Sequence, residues 1–184
     1  MLEIIGDIRL AQYSELIKFL LRKCDAFTLC LPNYGKRAYF QQNQDKSKSI
    51  KYYVAQIDDG SQFERYKNRV SSKIDIVANH LISVRYDVIY GSNLYDRERE
   101  IYIFNIDSTI NSAFFDNVNV FDWRYPDFPE DLCFYKQGQC FMEVVAHERN
   151  CFFYLVDEEL IDFLDNLDVD YCEYQCDDIP MLKY

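Results

Sequence analysis

Glycine occurs only five times in 184 residues, proline four times, histidine twice and tryptophan once. Loops that cradle phosphate need glycine where the backbone closes on the oxygens, so five glycines leave little material for them. No glycine-rich phosphate loop, nucleophile elbow or zinc-protease helix motif is present. General acid–base sites most often use histidine, and His80 and His147 are the two at hand. No stretch approaches the roughly 20 apolar residues of a membrane span, and no basic segment with an apolar run and cleavage site opens the chain. These absences lead us to expect a soluble cytoplasmic protein that engages no membrane. One region also lacks positive charge: ten acidic side chains and no basic one stand between Asp157 and Asp178.

The charge is polarised along the chain. Residues 101–184 carry 18 acidic against four basic side chains, whereas residues 1–100 carry 13 against 16, for a formal net charge of −11. In the acidic stretch Leu160, Phe163, Leu164, Leu167, Val169, Tyr171 and Tyr174 recur between the carboxylates, which implies a folded acidic face. Such a field favours a basic protein partner and repels phosphates. The 16 Tyr and 14 Phe suit sheet surfaces and interfaces. Seven cysteines scattered through apolar surroundings suit buried reduced thiols, with no disulfide framework.

Periodicity divides the chain into helices and strands. Apolar residues from Asp7 to Cys24 recur at spacings of three and four, predicting an amphipathic helix. Phe27 to Leu31 reads as a short strand stopped by Pro32, Asn33 and Gly35, followed by a polar loop at Gln41 to Lys51. Ser61 and Glu64 form a capping-box pattern, and a stripe from Phe63 to Leu81 predicts the longest helix. Alternation over Ile82 to Val88, a turn at Gly91-Ser92-Asn93 and a strand at Glu98 to Ile106 predict a hairpin with its loop near Asp96 and Arg97. Asp107 or Ser108 is expected to cap a short helix through Phe115. Leu132 to Tyr135, Cys140 to Ala146 and Cys151 to Val156 predict a meander. Asp157 is expected to cap a helix carrying Glu158 and Glu159 in its first turn, and Asp168 to Tyr174 a last edge strand. Strands segregated from helices indicate an α+β fold: one domain over 1–184, with a largely antiparallel sheet packed with two or three main helices.

The densest cluster of chemically distinctive residues is Trp123, Pro126, Pro129, Glu130, Asp131, Leu132, Cys133 and Phe134, with His147 and Glu148 further on. This Trp-x-x-Pro-x-x-Pro-Glu-Asp-Leu-Cys-Phe block followed by His-Glu resembles the signature of a poorly characterised family of small bacterial proteins. Some members of that family carry an automatic stage III sporulation label. The resemblance covers residues 123–148, is loose elsewhere, and implies no established substrate, cofactor or catalytic residue.

Two functions follow as expectations. The first is a non-enzymatic binding module whose acidic face, at Asp162, Asp165, Asp168, Asp170, Tyr171, Glu173 and Tyr174, receives a basic partner, with an immunity or inhibitor role as its most concrete version. The second is a hydrolase-type enzyme using Glu130, Asp131, His147 and Glu148, because the meander can bring a carboxylate beside an imidazole. No cofactor and no metal are expected, since Glu143/His147 and Cys172/Cys176 fall on strands and match no zinc spacing. His80, at the edge of a helix stripe, reads as a structural histidine. Nucleic acid is not an expected partner: Lys46, Lys48, Lys51, Arg65, Lys67, Arg69 and Lys73 fit a solvated helix face in a chain of net negative charge. The oligomeric state is left open.

Overall fold

A computed structural model describes residues 1–8, 10–41, 51–56, 61–89, 96–116, 119–176 and 178–182, with side chains outside 34–41, 51–56, 62, 88–89 and 96–98. The fold is α+β. Nine strands are described: β1 (Leu2–Ile4), β2 (Ala26–Gln41), β3 (Lys51–Gln56), β4 (Leu81–Ile89), β5 (Asp96–Asn105), β6 (Glu130–Lys136), β7 (Gln139–Val145), β8 (Asn150–Phe153) and β9 (Tyr171–Glu173). They form one sheet ordered β4-β5-β2-β6-β7-β8-β1-β9, with β3 on β2, and every described pairing is antiparallel. Three α-helices are described: α1 (Leu10–Lys23), α2 (Ser61–Ile74) and α3 (Glu158–Asn166).

The helices cover one face of this sheet because the apolar stripes have somewhere to go. Tyr13, Leu16, Ile17, Phe19 and Leu20 of α1 are buried, as are Phe63, Tyr66, Val70 and Ile74 of α2. Phe19 stacks on Phe163 of α3 at 4.2 Å and approaches Phe141 of β7 at 6.2 Å. In the middle of the sheet Phe27 stacks on Phe104 at 4.7 Å and meets Phe115 edge-on. Glu100 of β5 is buried under α2, where Lys67 Nζ lies 2.8 Å away and the Tyr102 hydroxyl donates to it at 2.7 Å. Partnering removes much of the cost of burying that carboxylate.

The meander β6–β7–β8 and α3 follow the sequence expectation. Gln137 and Gly138 both have positive φ, at 53° and 78°, as a two-residue hairpin turn of the favoured twist requires. Asp157 caps α3 by accepting from the Leu160 N–H at 2.9 Å.

Several expectations are corrected. The β2 strand does not stop at Pro32, Asn33 and Gly35 but continues to Gln41, with its pairing to β5 shifting between Pro32 and Arg37. An irregularity of this kind is where a proline is tolerated inside a sheet. Asp96 and Arg97 belong to β5 rather than to a hairpin loop, and the predicted Gly91-Ser92-Asn93 turn lies outside the described residues. The polar loop predicted at 41–51 also falls largely outside them. The long second helix ends as α at Ile74 and runs on as a 3-10 helix, Asp75–His80; α1 and α2 are equal at 14 residues. Before Phe115 there is a 3-10 helix, Ser112–Phe115, whose cap is Asn111. Asp107 instead closes a turn on Thr109, accepting from its N–H at 2.8 Å and its hydroxyl at 2.6 Å. The unpredicted β1 lies between β8 and β9.

Candidate functional site

The sheet face opposite the helices carries the most unusual chemistry. Strand register places Arg85, Ile101 and Cys30 side by side, and Thr28, Cys133 and Glu143 in a neighbouring row. With Arg99, Asp131 and Tyr135 they line a cavity of about 110 Å³. Met181 and Leu182 close part of it, because the C-terminal segment is tied down: Cys140 N–H donates to Pro180 C=O at 2.8 Å and Leu182 N–H to Gly138 C=O at 2.7 Å.

Asp131 reaches this cavity through a β-bulge. Between the pairs Thr28↔Cys133 and Cys30↔Glu130 there is one residue on β2, Leu29, and two on β6, Asp131 and Leu132. The extra residue forces a local distortion, and Asp131 takes a left-handed φ of 52°. Aspartate tolerates that conformation better than most residues. Its carboxyl is three-quarters buried; Oδ2 lies 3.8 Å from Arg99 Nη1, beyond hydrogen-bond range. Among the described residues Asp131 Oδ1 and Arg99 Nε are buried without a hydrogen-bond partner.

Burial, and secondarily the charge of Glu130, push the Asp131 carboxyl up to about 6, against the opposing pull of Arg99 and His147. A carboxyl of this kind can hold or release a proton near neutrality beside a guanidinium. The adjacent thiols do not supply a nucleophile. Burial pushes both Cys30 and Cys133 well above the ordinary thiol range, so neither is a thiolate at physiological pH. Glu143 is held at the cavity wall by the Tyr154 hydroxyl, which donates to it at 2.6 Å.

The other members of the sequence-predicted quartet lie elsewhere. Glu130 accepts from the Tyr125 N–H at 3.2 Å. His147 and Glu148 are exposed on the turn between β7 and β8, with His147 Nε2 3.6 Å from Glu148 Oε1. Asp131 is thus the one of the four that lines this cavity. Arg85 and Arg99, which sequence reasoning missed, are its cationic members among the described residues. Each contacts Asp87, at 3.4 and 3.5 Å.

The Trp-Pro-Pro block around Asp131 is largely scaffolding. Trp123 is fully buried, and its indole N–H donates to the Tyr13 hydroxyl on α1 at 2.8 Å. Pro129, Leu132 and Phe134 are also buried, and Tyr66 of α2 donates to the Phe128 carbonyl at 2.7 Å. No family model matches this chain, and neither does any curated protein or solved structure.

The acidic C-terminal stretch forms a second candidate. Its first carboxylates are locally neutralised: Lys23 contacts Asp157 at 3.3 Å and also Glu159, and Arg22 reaches Glu159 at 3.5 Å. Asp162, Asp165, Asp168, Asp170 and Glu173 are exposed and, among the described residues, form no ion pair. Tyr171 is half-buried against the core and donates to Asp165 at 3.0 Å, while Tyr174 is exposed at the β9 end. This face runs from α3 to β9, the strand at one end of the sheet order.

Of the basic residues weighed for nucleic acid, Lys67 is bound to Glu100, Arg65 to Ser61, Arg69 lies 3.8 Å from Asp127, and Lys73 sits 4.0 Å over the Phe128 ring. His80 Nδ1 lies 3.5 Å from Asp107. No helix among the described residues is long and apolar enough to cross a membrane.

Proposed function

We propose that this chain is a non-enzymatic binding module that holds a basic protein partner on the acidic face formed by Asp162, Asp165, Asp168, Asp170, Glu173, Tyr171 and Tyr174. An immunity or inhibitor role toward a basic bacterial toxin is its most concrete form. One observation carries the reading: five carboxylates from α3 to β9 are left without cations among the described residues, although α1 supplies Lys23 and Arg22 to the carboxylates just before them. Such a field accelerates encounter with a cationic surface, and the tyrosines offer contact area at low entropic cost.

The test compares two neutralised proteins of equal net charge. One carries Asn or Gln at Asp162, Asp165, Asp168, Asp170 and Glu173; the other carries them at Asp7, Glu15, Asp75, Asp116 and Asp122. Immobilised wild-type and control proteins should retain the same basic protein from a native-host extract at low salt and release it at high salt, while the face variant retains none. Equal loss in both variants, or no retained protein at all, removes the proposal.

The Asp131 cavity supports a second reading, a hydrolase-type enzyme drawing on Glu130, Asp131, His147 and Glu148. Its support is the carboxyl raised to about 6 beside Arg99. Here Asp131 exchanges the proton, and Glu130 and His147 act on it through their charge. Chromogenic carboxylic and phosphate esters serve as probes: hydrolysis by wild type that Asp131→Asn abolishes supports this reading, and equal activity or none from either protein removes it.

A further inference from the structure

We infer that β4 is a dimerisation edge, pairing antiparallel with β4 of a second copy so that two nine-stranded sheets become continuous. The inference is independent of the acidic face, since β4 and β9 stand at opposite ends of the strand order. Among the described strands β4 pairs with β5 and nothing else, so the backbone groups along its other side have no strand partner. An edge of nine residues with no strand beside it among the described residues is a template for another strand.

Two observations favour use of this edge over protection. Among the described residues, five of the ten exposed large apolar side chains fall between positions 76 and 86: Ile76, Leu81, Ile82, Val84 and Tyr86, with Tyr86 at 75% exposure. Apolar exposure concentrated in this way marks an interaction surface more often than scattered residues do. The segment also has no Lys or Pro, the residues that commonly blunt an edge.

The charge pattern identifies the occupant. In an antiparallel pair, directly opposed residues share a face of the sheet, so a two-fold axis through Tyr86 sets Tyr86 against Tyr86 and Arg85 against Asp87 on each side of the axis. That register joins opposite charges twice. Moving the axis to Arg85 would set Arg85 against Arg85, which is repulsive. A strand carrying Arg85-Tyr86-Asp87 is therefore complementary to itself. In the monomer Arg85 and Asp87 lie on the same face, 3.4 Å apart, with Arg99 also 3.5 Å from Asp87, so pairing across the axis would add to contacts these charges already make.

Charge reversal tests both the edge and the register. Wild-type protein should sediment as a dimer, with the monomer appearing on dilution. Arg85→Asp and Asp87→Arg should each place like charges opposite one another twice and weaken association by about tenfold. Mixing the two variants should restore the dimer as a heterodimer, because two carboxylates on one copy then face two guanidinium groups on the other. A wild-type monomer at all concentrations, association unaffected by either substitution, or a mixture that stays monomeric overturns the inference. Should either variant lose its circular dichroism signature, hydrogen exchange on the wild type decides: amides of residues 83–87 should gain protection as concentration rises, and concentration-independent exchange there refutes the edge.

Discussion

Replacing Asp131 with Asn should make the protein more stable at neutral pH. The folded chain holds the Asp131 carboxyl at about 6 against an ordinary value of 3.8. Between those two values the folded state binds a proton that the unfolded state has released, so stability falls as pH rises through the window. Below about pH 4 the carboxyl is neutral in both states and the penalty vanishes; above about pH 6 the penalty is complete. The full displacement corresponds to about 3 kcal/mol at roughly 1.4 kcal/mol per pH unit. A quarter of the side chain remains exposed, and solvent screening there brings the expectation nearer about 2 kcal/mol. Asparagine suits the comparison because it also accepts the positive φ of this bulge. Urea unfolding of both proteins from about pH 4.5 to pH 7.5 measures the effect, and the difference between them cancels every titration they share. Asp131→Asn should gain stability relative to wild type as pH rises. A difference that is flat across this range, or an asparagine protein that is less stable at the upper end of it, would refute the account of a desolvated, under-compensated carboxylate.

Three further outcomes follow from the core, the α3 cap and the thiols. Trp123→Phe leaves the buried Tyr13 hydroxyl without its indole donor and opens a void, and should cost about 2–3 kcal/mol in urea unfolding followed by circular dichroism. Asp157→Ala removes the acceptor for the Leu160 N–H and should cost about 1 kcal/mol, most of which Asp157→Ser should recover. In the native protein a disulfide reagent should react with Cys176 quickly and Cys172 more slowly, whereas Cys24, Cys30, Cys133, Cys140 and Cys151 should react only on unfolding, since burial excludes the reagent and disfavours the thiolate.

The legible elements were those whose signal is local. The stripe of α1, the start of α2 at Ser61, the meander and the Asp157 cap each rest on a spacing or a capping residue that acts within a few positions. Tertiary context decided the rest. The three residues of β1 are too few for a period and gain their place from β8 and β9. A proline that punctuates most strands is absorbed in β2 by a register shift. The site shows the same division. Asp131 stood out from sequence as a charged residue in a distinctive block, but Arg85 and Arg99 arrive from β4 and β5 through sheet register, which no linear spacing encodes. The alternation of β4 put Arg85 on its polar side; that was the available signal, and it lacked the pairing.

The position of β1 also bears on how the chain is made. Leu2 opposes Phe153 on one side and Glu173 on the other, so the earliest of the described strands to leave the ribosome has neighbours that are among the latest. Until β8 has emerged β1 has neither of its neighbours, and Leu2 and Ile4, both buried in the finished sheet, remain open to chaperones or to another nascent chain. Completion of the sheet thus requires a large loop to close, which predisposes this fold to slow maturation.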